Sequence, residues 1–303
     1  MRKVSFMNRH KTSLKNPLFN RLDIILIAVI ATFVSWLYYR SSIGINYHWH
    51  WHEAFDLIFV SSSNGKLPYF FQGLISTIRI SIFGILLAFT LGIIIGVARR
   101  SSLSFLRIPA SIFVHLIRNI PPLVFIFIFY FFVSSQLVPA LGLDSLLRDN
   151  TDEVSSWQLI LFGPANLWEN LLSGVLCVGF LSSAYIAEII RAGLDGVAKG
   201  QWEAADSLGL SNWVKYRYII APQVIASVTP TLAGQAISLV KDTSIVSLIS
   251  IQEMTFVGTE IANSSGLIFE IWLIIGLFYF LLCLSLSVTF KSLEKKSRRY
   301  LKS

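Results

Sequence analysis

Charged and hydrogen-bonding side chains are scarce in this chain, so each place where they gather is a place where chemistry can happen. Arg118 and Asn119 precede two consecutive prolines, Pro121 and Pro122, inside an apolar run. Lys241, Asp242 and Thr243 close another apolar run. A basic and an acidic side chain together complement a small solute that carries both charges. Charged groups at membrane depth usually face the protein interior or a wet path. Anchoring of a helix end among lipid headgroups accounts for the same residues. If the fifth span starts near Ile219, a rise of about 1.5 Å per residue puts Lys241 about 33 Å further on, near the outer face. Arg118 is open to the same two readings. Glu188 and Arg191 stand at i and i+3, the spacing of a structural ion pair on one helix. His48, His50 and His52 alternate, and on a strand they would share a face and make a metal site conceivable. An aromatic segment at headgroup level explains the surrounding Trp49 and Trp51 without a metal, and no second cluster supplies a clear fourth ligand.

The most polar part of the second half is Glu203 to Pro222, EAADSLGLSNWVKYRYIIAP. Glu203 to Leu208 favour helix, and Gly209 suits the left-handed residue that ends one. Ser211 can cap the next helix, and Pro222 suits the opening of a membrane helix or a kink in it. Helix, tight turn and helix are predicted, with the small Ala204 and Ala205 letting another surface approach the backbone. A short projecting helix of this kind fits a groove on a soluble partner.

These residues need elements to hold them. Only 14% of the 303 residues are charged and 54% are hydrophobic, whereas soluble domains carry about a quarter charged. The chain is expected to be an all-α membrane protein with six spans, at 22–39, 70–98, within 105–135 after an amphipathic lead-in, 167–191, 218–240 and 265–290. A basic tail, 1–21, precedes the first span, which is read as an uncleaved helix. Gly84, Gly92 and Gly96 allow close helix packing in the second span. Pro121-Pro122 imply a break in the third, tolerated where backbone is buried in protein or lines a cavity. An outer loop at 136–166 carries Asp144, Asp149, Asp152 and Glu153. Most of the 25 Lys and Arg lie in the two tails, the second-to-third connection and the 195–217 loop. With six spans, both termini and that loop fall on the cytoplasmic side. Cys177 and Cys283 fall inside spans and read as packing residues. The net charge of +8 sits beside apolar spans rather than forming a nucleic-acid footprint. No G-x-x-x-x-G-K-[ST], H-E-x-x-H or G-x-S-x-G occurs, so neither nucleotide hydrolysis nor a hydrolase site is recognisable. No catalytic residue, metal or cofactor is assigned.

The stretch Glu203, Ala204, Ala205, Gly209, Ile219 and Pro222 resembles the EAA loop of binding-protein-dependent ABC transporter permeases, with Ala221 where that pattern prefers Leu. Ala184 to Gly193, Lys199 to Ala205 and Ser238 to Ser244 are similar to the polar amino acid permeases. Arg118-Asn119-Ile120-Pro121-Pro122 looks like the general L-amino acid type. The resemblance implies a type I importer permease: a five-helix core at 69–291, an extra N-terminal helix and periplasmic segment at 22–68, and a basic tail at 292–303. It also implies an inner-membrane location and a translocation path for polar or general L-amino acids. The implied partners are a cytoplasmic ATPase dimer, a second, similar but non-identical permease, and a periplasmic binding protein. From the residues alone, a passive channel or an ion-gradient carrier for small polar solutes remains the alternative, and a membrane-embedded enzyme has no support beyond polar residues in helices.

Overall fold

The computed structural model describes residues 21–44, 47–59, 67–140 and 155–299. The acidic residues expected in an outer loop at 141–154, the N-terminal tail before Arg21 and the last four residues lie outside them. The chain divides into two units, 1–49 and 50–303. The first contains α1, Arg21–Gly44, whose Leu22–Arg40 stretch is long and apolar enough to cross a membrane.

In the second unit, α2 (Trp51–Phe59) begins directly after His50. This segment is helical, not a strand, because its apolar period is that of a helix: Ala54 and Ile58, one turn apart, are both buried. His48 and His50 precede the helix, and His52 pairs with Asp56 one turn later at 2.9 Å. Among the described residues no three metal-ligating side chains converge.

α3 (Tyr69–Ala98) is 30 residues long, about 45 Å. α4 (Ser104–Asn119) follows as an amphipathic helix. The break expected at the prolines is present. Ile120 and Pro121 are extended, and Pro122 opens α5 (Pro122–Ile128), where its missing N–H costs nothing. A π-helical stretch, Phe129–Ser134, joins α5 to α6 (Ser135–Ala140). α7 (Ser156–Phe162) leads through a 3-10 turn into α8 (Trp168–Asp195). Next come α9 (Lys199–Ser207), a turn at Asn212–Val214, a second π-helical stretch at Lys215–Ile220, and α10 (Ala221–Asp242). α11 (Met254–Ser265) and α12 (Ile268–Arg299) complete the described chain. Among the described residues, six helical stretches are long and apolar enough to span a bilayer.

α8 is the central helix, and α3 lies against it. Gly84 meets Val178, Gly92 meets Ile186 and Gly96 meets Ile190. Each pair is 94 residues apart, so the two helices run parallel. The glycines are required by closeness: a Cβ on Gly92 would sit 2.6 Å from Cβ of Ile186. α5 and α6 run the other way, since Phe129 touches Phe180 and Ser134 bonds Ser173. α10 is also antiparallel to α8, with Gly193 on Val224 and Val228 at one end and Leu239 near Gly84 at the other.

Two polar contacts pin the end of the bundle away from Arg99. Arg79 donates to the carbonyls of Leu159 and Ile160, at 2.8 and 2.9 Å, and so satisfies the end of α7. Glu253, fully buried, caps α11 through the Phe256 N–H at 2.9 Å and accepts from Thr77 and Tyr279 at 3.1 and 2.7 Å. One carboxyl therefore ties α3, α11 and α12 together.

Candidate functional site

The loop at Gly196–Ser211 has the predicted form. α9 ends at Ser207, and Gly209 takes φ +65° with its N–H on the Asp206 carbonyl. Leu210 donates to Ala205 across the turn, which satisfies carbonyls the helix end would leave open. The Ser211 hydroxyl accepts from Val214 N–H at 3.4 Å. Lys215, 8% exposed, reaches back to Asp206 at 2.6 Å and sets the angle between the two helices. Ala205 faces inward, while Glu203, Ala204, Leu208 and Trp213 face outward. Ile219 is half-buried. Pro222 is the second residue of α10, where its missing N–H is tolerated. The π-helical stretch before it widens the helix where the proline ring and missing donor would otherwise clash, and the chain continues into α10.

Trp202, one residue before Glu203, joins this loop to the bundle. Its ring takes the guanidinium of Arg100 at 4.5 Å and the edge of Tyr216 at 5.4 Å. Arg100 closes the connection after α3. It also donates to the Leu194 carbonyl and lies 3.5 Å from Asp195. Asp195 pairs with Arg191 at 2.5 Å, and Arg191 pairs with Glu188 at 2.5 Å. Glu188 also binds Arg99, whose side chain is 6% exposed, and Arg118 at 3.2 Å. The Arg118 guanidinium lies over Tyr185 at 5.9 Å. A continuous chain of charged contacts thus runs from the loop helix, along α8, to the last turn of α4. The Glu188–Arg191 pair expected from spacing is present, but as the middle of a network drawn from three helices.

The network ends in the wall of an open groove of about 850 Å³ between α4, α8 and α10. Its polar lining includes Arg118, Tyr185, Glu188, Gln223, Ser227 and Gln235. The wall offers a cation, a carboxylate and neutral amides within one water-accessible space, so it can meet a small polar solute carrying either charge.

The other residues singled out in the sequence are distributed differently. Asn119 sits beside Arg118, but its amide donates to the His115 carbonyl at 2.7 Å and ends α4. Lys241, Asp242 and Thr243 lie at the far end of α10, beyond Leu239, which packs near the level of Val178. They are therefore separated from Arg118 along α8 and do not share its groove. Thr243 is buried with its hydroxyl on the Val240 carbonyl, Asp242 is half-buried and Lys241 is exposed.

Arg99, Arg100 and Trp202 were not singled out by sequence as site residues. The two arginines read only as the end of a span, and their partners are 89 and 102 positions away. A tryptophan inside a polar loop helix is the signal that was present.

Residues 84–299 match the family described as binding-protein-dependent transport system inner membrane component. The chain is 32% identical over 235 residues to the probable amino-acid ABC transporter permease protein YckA of Bacillus subtilis (strain 168), covering 78% of this chain and 92% of that one. It is 30% identical over 237 residues to the glutamate/aspartate import permease protein GltK of Escherichia coli O6:H1 (strain CFT073), covering 78% and 97%. The crystal structure of an amino acid ABC transporter with histidines superposes with a TM-score of 0.59 at 29% identity, covering 76% of this chain and 94% of that one. The MetNI methionine ABC transporter shares the fold, with a TM-score of 0.55 at 13% identity. An all-helical described chain with six potential spans, a polar groove and this match over 84–299 together establish that the chain belongs to the family of binding-protein-dependent transport system inner membrane components, the ABC transporter permeases.

Proposed function

We propose that this chain is the permease subunit of an ATP-driven amino acid importer. In this reading the 195–217 loop is the contact with a separate cytoplasmic ATPase pair, and Glu203, Ala204, Leu208 and Trp213 form the presented surface. Both termini and the loop lie in the cytoplasm. The open groove under Arg118 and Glu188 is part of the path for the solute, completed by a second permease. A periplasmic binding protein delivers the solute to the opposite end. Lys241, Asp242 and Thr243, at that opposite end of α10, form a separate polar station near the outer face.

The observation that carries the reading is the network Trp202–Arg100–Asp195–Arg191–Glu188–Arg118. A projecting helix whose only job is to connect two spans has no need of a charged link to a groove wall. A helix that is moved by a partner does, because ion pairs joined in series shift as a unit when one end is displaced. The amino acid class is supported by the names of the relatives and by the pairing of a cation and a carboxylate in one wall.

The test is uptake of labelled glutamate, glutamine, histidine, arginine and leucine into cells with the chain intact or deleted, with ATP depleted in parallel. ATP-dependent loss of uptake on deletion supports the importer. Uptake that persists without ATP but collapses with an uncoupler indicates an ion-gradient carrier instead.

A further inference from the structure

Arg107 stands on the exposed face of α4 and pairs with no carboxylate among the described residues. It lines a second groove, of about 610 Å³, together with Arg99 and Arg191. Arg99, Arg107, Arg191 and His115 supply the polar edge of this groove, and Ile112 and Leu116 supply part of its apolar floor. Ile112 and Leu116 are 54% and 57% exposed. Leu103, Phe105 and Leu106, at the start of α4, are also exposed, Phe105 to 87%.

Charge and position together select the occupant. Arg99, Arg107 and Arg191 line this groove, and the carboxylates of Glu188 and Asp195 already pair with Arg99 and Arg191, which leaves Arg107 unmatched. The surplus is positive and calls for an anion. Arg99 is the residue at which the span Tyr69–Ala98 ends, and Asp195 ends the span Ser156–Asp195. The groove is therefore at the level where a bilayer has its headgroups. An inorganic anion would answer the arginines and leave Ile112, Leu116 and Phe105 bare. A peptide would bring backbone polar groups onto that apolar floor with nothing to bond them. A phosphodiester with an acyl chain answers both halves, since guanidinium groups bind phosphate oxygens with charge-assisted hydrogen bonds and basic pockets between spans recognise anionic headgroups.

We propose that this groove holds one anionic phospholipid, its phosphate on Arg107 and its acyl chain along the Ile112–Leu116 face of α4. The site needs only that the bundle spans a membrane, so it stands or falls separately from the transport reading.

The experiment is native mass spectrometry of the purified permease in detergent after delipidation and titration with phosphatidylglycerol, with phosphatidylcholine and inorganic phosphate as parallel probes. The wild type is expected to retain one phosphatidylglycerol per chain. Arg107→Glu is expected to lower retention about tenfold, the loss of one charge-assisted contact. Ile112→Asn lowers it as well, and Arg217→Glu, a charge change outside the groove, leaves it unchanged. Equal retention by wild type and Arg107→Glu overturns the proposal, as does equal retention of phosphatidylcholine. Displacement of the lipid by inorganic phosphate at matched concentration overturns it too, because the ion alone then suffices. Disulfide-linked pairs of an Ile112→Cys chain, with Cys177 and Cys283 replaced by Ala, would show that a second copy covers the groove, and would also overturn it.

Discussion

The guanidinium of Arg100 lies 4.5 Å from the centre of the Trp202 ring and carries the charged network of the bundle onto the loop helix. Arg100 belongs to the end of α3 and Trp202 to α9, which are 102 residues apart in sequence. A cation over an indole ring resists separation while allowing the ring to slide, so the joint transmits displacement without fixing one geometry. Arg100→Lys keeps the charge but loses the planar group that stacks and reaches Asp195 together. Uptake by Arg100→Lys is expected to fall severalfold, and uptake by Arg100→Leu to fall further, with both proteins inserted at normal levels. Immunoblots of membrane fractions beside uptake assays check this.

Gly209 has φ +65°, a conformation that costs a residue with a Cβ about 1 kcal/mol or more. No atom crowds the position, so the penalty is conformational alone. Gly209→Ala is expected to leave insertion unchanged and reduce uptake partially. Gly209→Pro, whose φ is locked near the opposite sign, is expected to abolish uptake while the protein still inserts. Uptake equal to wild type in Gly209→Pro contradicts the role given to this turn.

Glu188 is the shared partner of Arg99, Arg118 and Arg191. Glu188→Gln leaves the buried Arg99 without its counter-charge, a change that costs about 3 kcal/mol when a buried pair is broken from one side. The double variant Glu188→Gln with Arg99→Gln is expected to recover part of the loss, because both members of the pair are then neutral. Thermal unfolding in detergent of the two variants gives the comparison. Equal losses in the single and double variants would show that Arg99 does not depend on Glu188.

Glu253 caps α11 and holds the Thr77 and Tyr279 hydroxyls. Glu253→Ala removes the cap and takes one acceptor from each of the Thr77 and Tyr279 hydroxyls, which keep the Gly73 carbonyl and Thr255 as partners, an expected loss of about 2 kcal/mol. Glu253→Gln keeps an acceptor for the Phe256 N–H and a polar partner for the hydroxyls, so it is expected to cost about 1 kcal/mol. Unfolding temperatures of the two variants should differ by several degrees in that order.

Gly92→Val drives a side chain into Ile186 and the Ser183 carbonyl across the parallel contact of α3 and α8. Overpacking of this kind costs about 1–3 kcal/mol. The accumulated protein is expected to drop, and a compensating Ile186→Ala is expected to restore part of it. No rescue would place the defect elsewhere than this contact.

The spans were legible because an apolar run long enough to cross a bilayer is a one-dimensional signal. The Gly209 turn and the Pro121-Pro122 break were legible because one residue type dictates backbone angle in each case. Partner choice was not. Nothing in the run Gly84, Gly92, Gly96 says which helix it meets, and the 94-residue register with α8 appears only when both are folded. The same is true of Arg99 and Arg100, whose sequence neighbours explain them as anchors and whose spatial neighbours make them links. α11 carries no span-length apolar run to announce it, and its N-cap, Glu253, is satisfied from α3 and α12 as well as from itself. His48, His50 and His52 alternate as a strand would, and the burial of Ala54 and Ile58 decided for a helix starting at Trp51.

The central claim is that the loop drives the groove through Trp202. The most direct measurement is solute imported per ATP hydrolysed by the reconstituted transporter carrying Trp202→Ala or Trp202→Phe. The account predicts that Trp202→Ala still assembles with the ATPase and hydrolyses ATP while solute per ATP falls about tenfold, the effect of losing one coupling contact of about 1.4 kcal/mol. Trp202→Phe, which retains a ring face for Arg100, is predicted to keep most of the wild-type ratio. A Trp202→Ala transporter that imports as much solute per ATP as the wild type would contradict the account.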